Sequence, residues 1–304
     1  MAGSQFEYVR GFEQADALLP QTFIVIRVDG RSFTRFTSDH GWVKPNDARG
    51  MCLMTAAALD VLREWGDIVF AYGQSDEYSF VLPPRSAVYG RRCSKLCTGV
   101  ASLFAAAFVL HWPEFFPGVA LQRPPSFDGR CVCYPRLSHV LDYLRWRQVD
   151  THINCLYNEC FWALVQRGGK TPAEAHERLK GTLSDAKHEL LHGSFGINYA
   201  ALPAAFKRGT TLVRQGREGG KAAGGGGGAE AAAAVAVAAG GAPEPPTSPG
   251  RGAASADAGP LPLPEGHPPL PSLNVPPYLL LLHTDYLAAA TKGFLEATLK
   301  PYDT

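Results

Sequence analysis

The stretch Phe23-Ile-Val-Ile-Arg-Val-Asp-Gly30 decides the fold, because it is a short β-rich run that ends abruptly at an Asp-Gly turn signal. Two later runs, 67–72 and 78–82, have the same character and predict two more strands. The five residues Gly73-Gln-Ser-Asp-Glu77 between them are few enough to form a hairpin connection. A fourth strand is predicted over 129–134.

Helical patterns lie between these strands. Asn46 and Asp47 offer an N-cap for a helix that runs to about Trp65, and a long apolar helix is predicted from Arg91 to about Trp112, ended by a proline. Further helices are predicted at 137–167, 172–180 and 184–192. The order strand, helix, strand, strand, helix, strand predicts an α+β, ferredoxin-like βαββαβ domain with additional helices.

Composition divides the chain of 304 residues, whose net charge is +1. Residues 216–276 are rich in Gly, Ala and Pro, including five consecutive glycines at 224–228. Such a segment has few large side chains to bury and cannot offset its ordering entropy, so we predict that it is disordered. The tail 277–304 contains an amphipathic stretch near Tyr286–Leu299 that the sequence does not place.

The seven cysteines form no paired CxxC units, which argues against a zinc site and a secreted disulfide framework. Cys93 and Cys97 lie one helical turn apart, and packing is the ordinary interpretation of that spacing. The N-terminus carries acidic residues and no apolar signal region, and the longest aliphatic run, Leu279–Leu282, is too short to span a bilayer. We therefore expect a protein that is neither secreted nor bound to a membrane.

The strand pattern predicts a candidate metal site formed by two carboxylates. Asp29 ends the first strand and Asp76 lies at the tip of the hairpin, so neighbouring strands would bring them together. Paired carboxylates of this kind can hold two Mg²⁺ ions about 3.5–4 Å apart, completed by substrate phosphates and water. Each motif alone is also typical of an ordinary solvated turn, and Asp-Gly-Arg occurs again at 128–130.

The residues after Asp29 suggest a phosphate site. Gly30 permits close approach of the backbone, and successive N–H groups with the hydroxyls of Ser32 and Thr34 can hold phosphate oxygens. Glu77 is predicted to support the metal shell by hydrogen bonding, with a solvated turn residue as the alternative.

Several ordered peptides resemble the tRNA-His guanylyltransferase family over residues 4 to 213. They are Phe6-Glu-Tyr-Val-Arg10, Arg27-Val-Asp-Gly-Arg31, Lys44-Pro-Asn-Asp47, Ala71-Tyr-Gly-Gln-Ser-Asp-Glu-Tyr-Ser-Phe80, Phe127-Asp-Gly-Arg130 and His152-Ile-Asn154. The resemblance implies a polymerase-like palm at 4–135, a helical region for tRNA, nucleotide and assembly contacts at 136–215, and a homotetramer. It also implies addition of GMP from GTP to the 5′ end of tRNA-His, after ATP adenylylates the 5′-monophosphate.

The resemblance further assigns roles to residues. The metal ligands would be Asp29, the Gly30 carbonyl and Asp76. Glu77 is added to the predicted catalytic residues because of its position next to Asp76. The nucleotide would be bound by Asp29, Gly30, Arg31, Ser32, Phe33, Thr34, Ser75 and Asp76. A second nucleotide or the tRNA 5′ end would be bound by Lys44, Asp47, Arg92, Lys95, His152, Lys187 and Asn198.

Some of the residues predicted to bind the second nucleotide or the tRNA 5′ end also have an ordinary structural interpretation. Arg91, Arg92 and Lys95 can share one face of a helix, where they form either a phosphate site or an ordinary basic surface. His152 alone is more typical of a capping or packing residue. The chain also departs from the family in two places: Cys155 replaces an asparagine, and the resemblance stops at about Gln215.

Two other functions therefore stay open. The chain could be another palm-type nucleotidyltransferase or cyclase, or a non-catalytic tRNA-binding isoform with an altered C-terminus. Retention of both Asp29 and Asp76 argues against the isoform, because binding alone needs no metal carboxylates. The expected compartment is the cytoplasm or the mitochondrion.

Overall fold

The computed structural model describes residues 4–215, 269, 271–287 and 293–303. These residues form a mixed fold of helices around a six-stranded antiparallel sheet, with strand order β4-β1-β3-β2-β5-β6. The strands are β1 (Phe23–Gly30), β2 (Phe70–Gln74), β3 (Glu77–Leu82), β4 (Phe127–Tyr134), β5 (Thr210–Arg214) and β6 (Leu279–Leu282). The segment 216–276 predicted to be disordered lies outside the described residues apart from 269 and 271–276.

The four strands predicted from the sequence are present, and their register positions the turn signals. Asp29 pairs with Glu77 on β3 and with Asp128 on β4. The β2–β3 connection is a tight turn at Ser75-Asp76, with Ser75 in the left-handed region at φ 49°. The end of β1 and the tip of this hairpin therefore meet at one edge of the sheet.

The helices are α1 (Phe33–Asp39), α2 (Ala48–Glu64), α3 (Cys93–Phe115), α4 (Leu137–Gln166), α5 (Pro172–Leu179), α6 (Ser184–Glu189), α7 (Ala204–Arg208) and α8 (Phe294–Leu299). The predicted N-cap of α2 is present, since the Asp47 side chain accepts a hydrogen bond from the Arg49 amide. Two differences from the sequence prediction stand out. Helix α1 was not predicted. Helix α3 was predicted to end at Pro113 but continues to Phe115, because a proline in the last turn removes only one helical hydrogen bond and Trp112 and Phe115 stay buried.

Both faces of the sheet are covered. Ile24, Ile26 and Val28 of β1 pack against α2 and α3, whereas Phe23 and Val25 face α4 and α8. Because the first half of β1 is buried on both sides, Phe23–Ile26 are continuously apolar rather than alternating. The second half of α4 forms a third cluster with α5 and the turn at 190–194.

The C-terminal tail is part of the sheet. β6 pairs with β5, and Tyr286, Leu295 and Leu299 are buried against the face of the sheet that carries Phe70. The apolar side chains described in the amphipathic stretch near Tyr286–Leu299 thus pack against the sheet.

One described helix, α3, is long and apolar enough to cross a bilayer by length and composition alone. One side of it carries seven buried residues and packs on β1 and β4 through the larger core cluster. Such a helix passes the same test when it belongs to a protein core, so the composition of α3 does not identify a membrane span.

Candidate active site

A cavity of about 650 Å³ opens at the edge of the sheet where β1 ends and the β2–β3 hairpin turns. Its walls come from this edge, from the α1–α2 segment and from one face of α4. The predicted residues among its lining are Asp29, Phe33, Thr34, Lys44, Asp47, Ser75, Asp76 and Glu77.

Asp29 and Asp76 are close together at this edge. The Gly30 amide donates a 3.0 Å hydrogen bond to the Asp76 carbonyl oxygen. Burial, and next the charge of Asp29, raise the pKa of Asp76 to about 6. Among the residues that the structure describes, no Lys or Arg nitrogen lies within 4.0 Å of either carboxylate. Two unpaired carboxylates side by side form an acidic site suited to a cation.

Gly30 is required by this close approach. A Cβ added there would lie 2.4 Å from Phe33 Cδ2 and 2.9 Å from Asp76 Cβ, both far inside normal contact distance. The Gly30 and Arg31 amides are already used, since they donate to the carbonyls of Asp76 and Ser126. Predicted phosphate contacts by the backbone would therefore begin at Ser32, which has φ 55° just before α1.

The rest of the predicted phosphate segment belongs to α1. Phe33 is buried and stacks on Phe36 with ring centroids 4.9 Å apart, so its side chain anchors α1 in the core. Thr34 lines the cavity, whereas Arg31 and Ser32 are exposed.

Glu77 is buried on the α4 side of the sheet, as are Ser79 and Val81. Arg147 Nη1 lies 3.1 Å from one Glu77 oxygen, and Arg27 Nε lies 3.7 Å from the same oxygen. Burial raises the pKa of Glu77 against the lowering effect of the two arginines. The solvated-turn alternative for Glu77 is wrong, because the residue is the centre of a buried ion cluster.

Lys44 and Asp47 form the opposite wall. Lys44 is half-buried, and its Nζ donates to Thr37 Oγ1 at 2.7 Å. Burial lowers the pKa of Lys44, while the charges of Asp47 and Asp76 oppose that shift. The Asp47 carboxylate accepts from the Val43 amide at 2.8 Å and from Arg49 Nη2 at 2.6 Å. Its oxygens therefore hold the start of α2.

Arg92 and Lys95 lie far from the cavity. They are at the start of α3, beside the segment that precedes β1, whereas the cavity is at the end of β1. Arg92 pairs with Asp16 at 3.1 Å, and Lys95 lies over the Tyr89 ring. The predicted shared face with Arg91 is wrong, because Arg91 precedes α3 and its buried guanidinium donates to backbone carbonyls, including that of Leu19 at 2.7 Å.

His152, Lys187 and Asn198 lie outside the cavity lining, around the second half of α4. His152 Nδ1 is 3.0 Å from the Tyr199 hydroxyl, and Lys187 Nζ donates to the Thr182 carbonyl at 2.6 Å. The Asn198 side chain accepts from the Ala200 amide at 3.0 Å. In this chain the three residues thus hold local structure.

Sequence reasoning missed one wall of the cavity, the face of α4 that carries Asn154, Asn158 and Phe161. Their spacing of four and three residues places them on one side of a helix, and this spacing could have predicted a shared polar face. Cys155 lies on the same wall, and burial raises the pKa of its thiol to about 11. Asn46 on the facing segment donates to Glu159 at 2.8 Å and ties α4 to the entrance of α2.

An antiparallel sheet that carries two unpaired carboxylates beside a cavity with a lysine in its far wall is suited to the metal-assisted chemistry of a nucleotidyltransferase. A family model described as tRNAHis guanylyltransferase matches residues 6–135, and one described as the Thg1 C-terminal domain matches residues 138–237. The chain belongs to the tRNA(His) guanylyltransferase family. The second match extends beyond Gln215, where the motif resemblance was expected to stop.

Individual relatives agree with this assignment. The chain is 53% identical to the tRNA(His) guanylyltransferase of Schizosaccharomyces pombe over 215 residues, 71% of this chain and 82% of that one. It is 52% identical to a probable tRNA(His) guanylyltransferase of Dictyostelium discoideum over 215 residues, 71% of this chain and 84% of that one. The crystal structure of the Saccharomyces cerevisiae tRNA(His) guanylyltransferase superposes with TM-score 0.66 at 44% identity, covering 70% of this chain and 94% of that chain.

Proposed function

We propose that this protein adds a guanosine nucleotide from GTP to the 5′ end of tRNA-His, after ATP has adenylylated the 5′-monophosphate. The observation that carries the proposal is the pair Asp29 and Asp76, unpaired with any described lysine or arginine and placed at the mouth of a cavity in a chain of this family. The same family membership disfavours the cyclase alternative.

The carboxylate pair fits divalent cations, and we propose two Mg²⁺ ions held by Asp29, Asp76 and the Gly30 carbonyl. Burial and the neighbouring Asp29 destabilise the charged form of Asp76, and bound cations would remove that cost. Hard carboxylate and carbonyl oxygens are the ligands that Mg²⁺ prefers. When bound, the ions would supply charge neutralisation on the phosphates and activation of the attacking oxygen.

Two successive displacements at phosphorus join GTP to the tRNA, and later removal of pyrophosphate from the new 5′ end leaves the added GMP. A 5′-phosphate oxygen of the tRNA attacks the α-phosphorus of ATP and pyrophosphate leaves; the 3′-hydroxyl oxygen of GTP then attacks the activated 5′-phosphorus and AMP leaves. Positioning and electrostatics supply most of the catalysis in such steps. Here Lys44 would bind triphosphate oxygens from the wall that faces the carboxylates. The α4 wall would contact a base or sugar through Asn154 and Asn158.

The fold is proposed to be a ferredoxin-like palm extended by further elements. The strand order β4-β1-β3-β2, with α2 and α3 crossing one face, supports this assignment. β5, β6 and α4 would then be additions that close the open edge and the other face.

We further propose that Arg92, Lys95, His152, Lys187 and Asn198 contact tRNA, and that the protein assembles as a homotetramer. Arg92 and Lys95 lie at the end of the sheet opposite to the cavity, so a role on phosphate is easiest to reconcile with the site of another copy. The compartment is proposed to be the cytoplasm or the mitochondrion.

The decisive assay incubates the protein with 5′-phosphorylated tRNA-His, labelled GTP, ATP and Mg²⁺. Label should appear at the tRNA 5′ end with the wild-type chain and not with Asp76→Asn. The variant serves as the matched control, because tRNA binding through phosphate contacts should survive in it. A folded wild-type chain that transfers no label would refute the function and favour the tRNA-binding isoform.

A further inference from the structure

A group of thiols lies on the molecule away from the cavity, between the start of α3 and the edge strand β4. Cys93 and Cys97 are one turn apart on α3, and Cys131 comes from the middle of β4. All three residues are half-buried. The proposed function uses none of them.

The contacts bring Cys131 against both helix cysteines. The Cys131 Sγ lies 3.9 Å from the carbonyl oxygen of Cys93, and the Cys97 and Cys131 thiols are close enough to affect each other's pKa. Gly129, two residues before Cys131, lets α3 approach the strand: a Cβ there would lie only 2.8 Å from Cys97 Sγ. The cysteines of α3 thus pack directly against the edge strand that carries Cys131.

The arrangement suits a dithiol better than a metal centre. Among the described parts of the chain, no group of three Cys, His, Asp or Glu side chains has the arrangement of a metal site. A disulfide needs two cysteines whose Cα atoms lie within about 7 Å and whose Cβ atoms point towards each other.

We propose that Cys97 and Cys131 form a thiol–disulfide site that reacts with small-molecule disulfides of the glutathione class. The Cys97 thiolate attacks a sulfur of the small disulfide and releases one thiol. The Cys131 sulfur then attacks Cys97 Sγ, and the second small thiol leaves. In sum the two protein thiols lose two electrons and two protons, which end on the two released small thiols.

Burial slows this exchange without preventing it. Burial raises the pKa of Cys97, and burial together with the neighbouring thiols raises the pKa of Cys131. Because the thiolate is the nucleophile, the rate should rise steadily with pH above neutrality. The product would tie α3 to β4 and restrict the unfolded chain.

The test uses the full chain, incubated with glutathione disulfide or with reduced glutathione and then alkylated. Cleavage after Lys and Arg places Cys93 and Cys97 in different peptides, whereas Cys131 and Cys133 share one. We expect the oxidised protein to lose two hydrogen atoms, to link the Cys97 peptide to the Cys131 peptide, and to melt about 5 °C higher than the reduced protein. Reduction should reverse all three changes.

Serine variants decide which thiols are joined. Cys97→Ser and Cys131→Ser should abolish the link, and the matched controls Cys93→Ser and Cys133→Ser should retain it. A link through Cys93 or Cys133, a stable glutathione adduct in place of the link, or unchanged thiols after oxidation would overturn the proposal. Fragmentation of the linked peptides from the unaltered protein separates Cys131 from Cys133 and gives the answer even where a variant fails to fold.

Discussion

Asp76 and Glu77 follow one another in the chain, yet only Glu77 has arginine partners at ion-pair distance. Arg147 and Arg27 hold the Glu77 carboxylate on the α4 side, while Asp76 lies in the hairpin turn beside Asp29. Arginines thus compensate much of the cost of burying the Glu77 charge, whereas no arginine does so for Asp76. Neutralising them should have opposite effects on stability.

Asp76→Asn should stabilise the metal-free protein at pH 7.5. The raised pKa of Asp76, about 6 against 3.8, means that the folded state binds a proton more tightly than the unfolded state. Stability should therefore fall as pH rises from about 4 to about 6, by up to about 3 kcal/mol, and the variant should lack this loss. Thermal unfolding in EDTA across this range checks it. Asp128→Asn, an exposed carboxylate opposite Asp29, is the control. Identical pH profiles for wild type and Asp76→Asn would contradict the prediction.

Glu77→Gln should lower the free energy of unfolding by about 3 kcal/mol, because it removes the anion shared by the half-buried Arg27 and the buried Arg147, and Arg147 keeps only the 3.5 Å contact with Asp150. Urea denaturation measures the loss. Asp142→Asn breaks an exposed pair with Arg145 and should cost less than about 1 kcal/mol. Equal stability of the two variants would mean that the buried cluster around Glu77 is not a structural anchor.

Gly30→Ala should reduce both stability and nucleotidyl transfer. The added methyl group would overlap Phe33 and the Asp76 Cβ, so the carboxylate must move, at a cost of about 1–3 kcal/mol. Gly66→Ala is the matched control, because a Cβ there meets nothing within 4 Å. A fully active Gly30→Ala enzyme would show that the approach of β1 to the hairpin tip is not needed.

Lys44→Met should raise the KM for nucleoside triphosphate about tenfold or more, since one charged hydrogen bond contributes about 1.5–3 kcal/mol. The half-buried ammonium faces the cavity near Asp76. Lys180→Met, at an exposed position directly after α5, should leave the KM unchanged. Steady-state kinetics of both variants, with circular dichroism to confirm folding, makes the comparison. A normal KM for Lys44→Met would remove Lys44 from the binding site.

Leu299→Ala should destabilise the protein by about 2–4 kcal/mol, because this buried tail residue fills the core beneath β2 and α4. Leu287→Ala removes a side chain that is 53% exposed and should have little effect. Equal melting temperatures for the two variants would show that the tail does not stabilise the sheet.

The central strands and the meeting of Asp29 with Asp76 were predictable, because turn signals and strand neighbours follow from local chemistry. The partners of Glu77 were not, since Arg147 is distant in sequence and reaches it only through the packing of α4. The α4 wall of the cavity was not predicted for the same reason, since it also depends on how α4 packs against the sheet. The start of α3 was predicted two residues too early, at Arg91. The left-handed backbone of Arg91 and the hydrogen bonds from its buried guanidinium to Leu19 and Thr22 depend on a segment distant in sequence.

The edge of the sheet has a practical consequence for protein engineering. The Gln215 amide donates to the Tyr278 carbonyl at 2.9 Å, so the chain leaves the sheet after β5 and re-enters it for β6 at the same point. Closing a connection between fixed, adjacent ends costs only about 0.6 kcal/mol more for each doubling of its length. We therefore expect the connection between β5 and β6 to tolerate a shorter linker or an inserted reporter domain without a change at the catalytic edge.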